Sequence, residues 1–273
     1  MFYPKGLTQK RELEYAAQQF PSIEINGTFY GMQRPDSFAA WASQVPDDFV
    51  FAVKAPRFIT HIRRLREIEA PLGNFIASGL LRLGSRLGPV LWQFPPQMRF
   101  SRERFEPFLA MLPHDTAEAV RLGEKHDSRL KAPAWLEVDR RRPIRHAVEI
   151  RHDSFRDPTF IALLRAHDVA LVCADTVEWP RLMDVTSDFV YCRLHGSEEL
   201  YASGYDDAAL DAWATRVVAW ARGGEPDDAE RVGGAARRRR RRDVFLYFDN
   251  DMKVRAPTDA RALEARVARL LGT

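Results

Sequence analysis

HAVEIRHDSF, residues 146–155, carries the pattern on which the fold reading turns. It is short, apolar and bounded by polar residues, as a strand is. Strand alternation puts Val148 and Ile150 on one face and Ala147, Glu149 and Arg151 on the other. The charges gather toward the C-terminal end. Six more stretches repeat this plan: SIEINGTFY (22–30), FVFAVKAP (49–56), GPVLWQFP (88–95), VALVCAD (169–175), FVYCRLHG (189–196) and DVFLYFDND (243–251). Ile23 and Ile25 oppose Glu24, Asn26 and Thr28. Val53 opposes Ala52 and Lys54, and Gln93 sits late in its strand. Val172 and Ala174 oppose Cys173 and Asp175. Cys192 and Leu194 oppose Tyr191, Arg193 and His195. Leu246 and Phe248 oppose Tyr247 and Asp249.

Between these runs lie helical signatures. Thr8 precedes a periodic stretch through Phe20. Pro35–Asp36–Ser37, Ser101, Asp157–Pro158 and Pro257–Thr258–Asp259 are helix openings, and 206–221 is a long amphipathic segment. Seven strand–helix repeats imply parallel strands with right-handed crossovers. A 273-residue chain has the length of one TIM-type (β/α)8 domain. A closed barrel of that class has eight strands, so the first strand is expected before Met1, lost to a late start site or a truncation.

The chain is 45% apolar and therefore of globular composition. No apolar run approaches the ~20 residues of a membrane-spanning helix, and no leader pattern opens the chain, which predicts a cytoplasmic protein. Cys173 and Cys192 read as reduced core residues. The net charge of +3 is local. Residues 223–242 contain seven arginines (Arg231 and Arg237 to Arg242) against four acids, leaving 34 basic and 34 acidic residues elsewhere. This Gly-, acid- and Arg-rich stretch lacks hydrophobic periodicity and is expected to be a disordered surface insertion in a single domain.

The strand-end residues carry the chemistry. Glu24, Glu149, Asp175 and His195 suit acid/base work, with His195 titrating nearest neutrality. Lys54, Arg57, Arg151 and Arg193 suit anion binding, with Asn26, Thr28, His61, Gln93, Tyr205, Asp249 and Asn250 as further ligand contacts. Asp251 extends past the last strand, as a ligand contact or turn cap. The alternative for the charged groups is a neutralising salt-bridge network. Their place at strand C-termini, where barrel enzymes build their sites, favours function.

The stretches FPSIEINGTFY (20–30), FVFAVKAPRFITHIRRL (49–65), LGPVLWQFPP (87–96), AVEIRHDSF (147–155), YCRLHG (191–196), ASGYDDAAL (202–210) and YFDNDMKVRAPTDARAL (247–263) together resemble the YecE-like family, domain of unknown function 72. The resemblance implies a TIM barrel, related in architecture to sugar isomerases and apurinic endonucleases, and no particular activity. It also implies an initial strand and a Gly/Ser/Trp-containing loop before Phe2–Tyr3–Pro4, and a shorter join in place of the Arg-rich segment. An endonuclease-like zinc cluster would need several imidazoles. Only His152 and His195 stand at strand ends, with His61 on a loop, which argues against a multi-zinc cluster and leaves room for one divalent metal. The leading expectation is an enzyme acting on a polar or anionic small molecule, a sugar or phosphate ester. A nucleic-acid-binding or phosphodiester-cleaving protein is the second reading, and a non-catalytic scaffold the third. Oligomeric state is not readable from the sequence.

Overall fold

The computed structural model describes residues 2–196, 204–250 and 255–272. The described residues form seven strands: β1 (Ser22–Ile25), β2 (Val50–Lys54), β3 (Leu87–Gln93), β4 (His146–Glu149), β5 (Ala170–Asp175), β6 (Phe189–Leu194) and β7 (Asp243–Phe248). The helices are α1 (Glu12–Ala17), α2 (Gly27–Tyr30), α3 (Pro35–Ser43), α4 (Glu69–Ala77), α5 (Arg102–Met111), α6 (Thr116–Gly123), α7 (Pro158–Ala166), α8 (Asp207–Ala221) and α9 (Ala256–Leu271). All observed strand pairings are parallel. This is the α/β succession of the TIM-type (β/α)8 class with seven strands.

The chain divides into two compact units. One comprises Tyr3–Pro95 with Ser101–His146. Here β1, β2 and β3 pair in order, with Glu24 opposite Ala52 and Lys54 opposite Leu91. Neighbours in parallel register share a face, so Glu24, Ala52, Lys54, Leu91 and Gln93 lie on one side. Phe94, Phe105 and Phe108 form a buried aromatic cluster beneath α5. The other unit comprises Ala147–Thr273 with Pro96–Phe100 and Met1–Phe2, and orders β4, β5, β6 and β7. Its core packs Cys173, Cys192 and Leu194 against Leu210, Trp213, Ala214 and Trp220 of α8. Each such large side chain contributes roughly 1.5–3 kcal/mol on burial.

Some local expectations change. SIEINGTFY does not continue as a strand. β1 stops at Ile25, and Gly27–Tyr30 turns into α2. Thr28 therefore leaves the Glu24 face. Its hydroxyl lies 2.6 Å from the Lys54 carbonyl and 3.2 Å from that of Ile25, tying β1 to β2. β4 is likewise shorter than HAVEIRHDSF and gives way to a turn at Asp153–Phe155. Asp157 opens α7 as expected and caps it with its side chain; Asp206 caps α8 in the same way, whereas Thr8 makes no capping bond.

The Arg-rich stretch, 223–242, lacks regular secondary structure and makes defined contacts. Asp184 accepts the backbone N–H of Val232 and Gly233, and the Met183 N–H reaches the Glu230 carbonyl. Arg242 is buried. Its guanidinium donates to the carbonyls of Gly224 at 2.7 Å and Arg237 at 2.9 Å.

Candidate functional site

The parallel ladder of β5, β6 and β7 decides which side chains meet. Ala174 pairs with Arg193 and Arg193 with Tyr247, so these three share a face. Glu149, two residues beyond Ala147, joins it through the Ala147–Ala170 pairing. The ladder continues one step past the strands. The His195 N–H donates to the Asp175 carbonyl, and the Asp249 N–H to that of Leu194. His195 and Asp249 are thereby set side by side.

Glu149 is wholly buried. One carboxylate oxygen, Oε1, accepts the Nε and Nη2 of Arg151, each at 2.8 Å. The other, Oε2, accepts Nη1 of Arg193 at 2.8 Å. Arg193 is itself 1% exposed, and its Nη2 donates to Asp249 Oδ2 at 2.8 Å. His195 Nδ1 stands 3.1 Å from the same Asp249 oxygen, and Nε2 stands 4.0 Å from Glu149 Oε1. Burial would push the Asp249 carboxyl up. The Arg193 charge first, and the neighbouring His195 ring second, outweigh it and hold the group below its ordinary value. Arg151 lies 4.1 Å above the Trp179 ring, and His195 meets Trp179 edge-on.

Asp175 does not belong to this cluster. It pairs with Leu194 in register, which places it on the opposite face from Arg193 and toward α8. Its Oδ2 accepts the Tyr205 hydroxyl at 2.9 Å and Trp213 Nε1 at 3.3 Å, while Oδ1 faces Arg181 at 3.3 Å. Burial and the Asp175 charge push the Tyr205 phenol well up, keeping its proton on. Tyr205 also accepts the Gly196 N–H at 3.2 Å. Gly196 has φ 111°, the left-handed turn that takes the chain off β6. Asn250 is buried and donates to Asp259 Oδ2 at 2.9 Å, and the Tyr205 N–H reaches that oxygen at 3.3 Å. Asp259, in the first turn of α9, thus cross-links Asn250 and Tyr205 rather than capping the helix.

The remaining expected site residues lie in the unit around β1–β3. Glu24 and Asn26 are partly exposed, and Gln93 is buried at the end of β3. Lys54 is buried with its ammonium 4.5 Å from the Phe29 ring. His61 meets Phe29 edge-on, and its Nδ1 is 2.8 Å from Thr60 Oγ1. Arg57 is exposed. His152 is a turn cap, accepting the Ser154 N–H at 3.0 Å. Asp251 lies outside the described residues.

Sequence reading did not single out Trp179, Arg181 or Trp213. Each sits in an ordinary loop or helix pattern, and only packing reveals its partner. Among the described residues, no three or more His, Cys, Asp or Glu side chains are grouped to hold a metal ion. Glu149 and Asp249 are held by guanidinium groups that would have to withdraw before a cation could bind. No helix among the described residues is long and apolar enough to cross a membrane.

The family model described as protein of unknown function DUF72 matches residues 1–271. The chain belongs to the DUF72 family. A DUF72 protein from Thermotoga maritima of known structure is 24% identical, covering 99% of this chain and 93% of that one, with a TM-score of 0.68. One from Enterococcus faecalis is 16% identical over 96% and 94%, with a TM-score of 0.63. At these identities the shared DUF72 feature is the fold. Among curated proteins, UPF0759 protein YecE of Escherichia coli K12 is 32% identical over 96 residues, 30% of this chain and 35% of that protein. UPF0759 protein YunF of Bacillus subtilis is 29% identical over 106 residues, 37% and 38%. The matched stretches thus span little more than a third of these relatives.

Proposed function

We propose that the strand-end cluster around Glu149, Arg193, His195 and Asp249 is an acid/base site acting on a small polar or anionic molecule, a sugar or phosphate ester. The observation that carries this reading is the setting of His195. One ring nitrogen is 3.1 Å from Asp249 and the other faces the buried Glu149 carboxylate at 4.0 Å. A carboxylate on Nδ1 fixes ring orientation and favours the tautomer with Nε2 unprotonated. Nε2 is then the atom that takes a proton from substrate, and Asp249 stabilises the imidazolium. Arg151, stacked on Trp179, supplies the charge for an anionic group. Asp175 supports the site indirectly, by fixing Tyr205 and the turn at Gly196. The cost of burying this many charges is several kcal/mol per ion, which a purely structural role could avoid with apolar residues.

The test is to incubate the full chain with a panel of aldose phosphates and phosphate monoesters in D2O, followed by NMR and calorimetry. Binding of a panel member, about tenfold weaker in Arg151→Met, is expected. Deuterium incorporation or hydrolysis should vanish in His195→Asn while binding persists. A wild-type protein that binds none of the panel, or whose turnover survives His195→Asn, overturns the reading.

A further inference from the structure

A concavity lies within the unit built on β1–β3. It has a volume of about 430 Å3 and is formed by the residues that follow β1 and β2. That volume falls in the roughly 300–1,000 Å3 range of small-molecule sites. Three of the chain's exposed large apolar side chains converge on it: Tyr30 at 72%, Met32 at 42% and Ile62 at 58%. Single exposed apolar residues are ordinary, but a cluster around one cavity marks a binding surface. The far wall is Phe58–Ile62, a π-helical turn in which the Arg63 N–H reaches back to the Phe58 carbonyl at 2.8 Å. The chain then holds Arg64, Leu65 and Glu67 at φ of 49°, 66° and 49°. These left-handed conformations cost each non-glycine residue about 1–2 kcal/mol. Wide turns and strain of this kind gather at functional sites.

The polar content of the cavity is cationic. Arg57 is exposed, and no ion pair engages it among the described residues. Arg129 lines the same cavity, 3.3 Å from Asp127 and 5.7 Å from the Phe58 ring. The Asn74 amide is spent: it donates to Asp127 Oδ1 and accepts the Asp127 N–H, each at 2.9 Å. A largely apolar cavity whose charge without an ion pair is a guanidinium fits a ligand with a hydrocarbon or aromatic body and one negative end.

We propose that this cavity binds a small amphipathic carboxylate, its apolar body against Tyr30, Met32, Phe58 and Ile62 and its carboxylate on Arg57. The cavity shares no residue with the acid/base cluster, and its test does not depend on that reading. Calorimetric titration of the full chain with octanoate should give saturable binding with one ligand per chain. Arg57→Gln should weaken it about tenfold, and Ile62→Glu, which puts a carboxylate at the cavity, should abolish it. Both positions are exposed, so the variants should keep the wild-type circular dichroism spectrum. 1-Octanol, which lacks the charge, should bind at least tenfold more weakly than octanoate. The proposal is overturned by the absence of saturable octanoate binding to the wild type. Unchanged affinity in both variants, or equal affinity for octanol, overturns it as well.

Discussion

Arg193 is the residue on which the buried cluster depends. It bridges Glu149 and Asp249 from a position 1% exposed. Arg193→Met would leave Glu149 with Arg151 and strip Asp249 of its nearest cation, at an expected cost of about 3–5 kcal/mol. Urea unfolding measures this. The double variant Glu149→Gln/Arg193→Met should be less destabilised than the two single effects together, because it removes the charge that the single variant strands. Additive effects would mean that the pair does not act as a unit. At this scale the sequence was partly legible. Glu149, Arg193, His195 and Asp249 follow from alternation within their strands. Asp175 does not, because VALVCAD is apolar on both faces and nothing in it says which parity faces α8. Parallel strands are buried on both sides, so the face assignment needs the register.

The segment 223–242 is the element whose sequence reads least like its structure. Six consecutive arginines suggest a uniform solvated run, but one of them is different in kind. Arg242 is buried and satisfies the carbonyls of Gly224 and Arg237, whereas Arg240 is exposed and outside these bonds. Arg242→Ala is expected to cost about 1–3 kcal/mol, because it removes a buried guanidinium and the two bonds by which it ties Gly224 to Arg237. Arg240→Ala should stay within about 0.5 kcal/mol. Thermal unfolding of both variants decides whether Arg242 anchors the segment, and equal effects would refute it. Gly223 belongs to the same closure. Its φ is 76° and an added Cβ would sit 1.9 Å from the Arg239 carbonyl oxygen, so no other residue fits without moving the segment. Three of the four acids of the stretch have ion-pair partners: Glu225 with Arg231, Asp228 with Arg216 and Glu230 with Arg181.

Across the whole molecule, pH should act through His146. Its Nδ1 accepts the Trp92 indole N–H at 3.1 Å, so Nε2 carries the proton and donates to the Pro113 carbonyl at 2.8 Å. Burial first, and the nearby His114 second, lower its pKa from 6.5 to about 4. The folded state therefore resists a proton that the unfolded chain accepts. Stability from this group is full above pH 6.5, falls as pH drops from 6.5 to 4, and has lost about 3 kcal/mol by the lower limit. Urea midpoints measured at pH 7, 6, 5 and 4 should show the decline. His146→Gln should flatten it in that window, and an unchanged slope would place the titration elsewhere. Asp249, held below its ordinary value, adds a further loss only at pH below the usual carboxylate range, near 4.

The sequence by itself determined the α/β class, the seven strands and the concentration of ionisable groups at their C-terminal ends. Those follow from periodicity and composition, which act over a few residues and need no partner. Tertiary structure alone decided that β1 ends before Thr28, that Asp175 turns toward Trp213 and Tyr205, that Asp259 cross-links Asn250 to Tyr205, and that an apolar cavity opens beside Arg57. Each depends on the register or packing of segments distant in sequence. A local pattern constrains where a side chain can point, but not what it meets there.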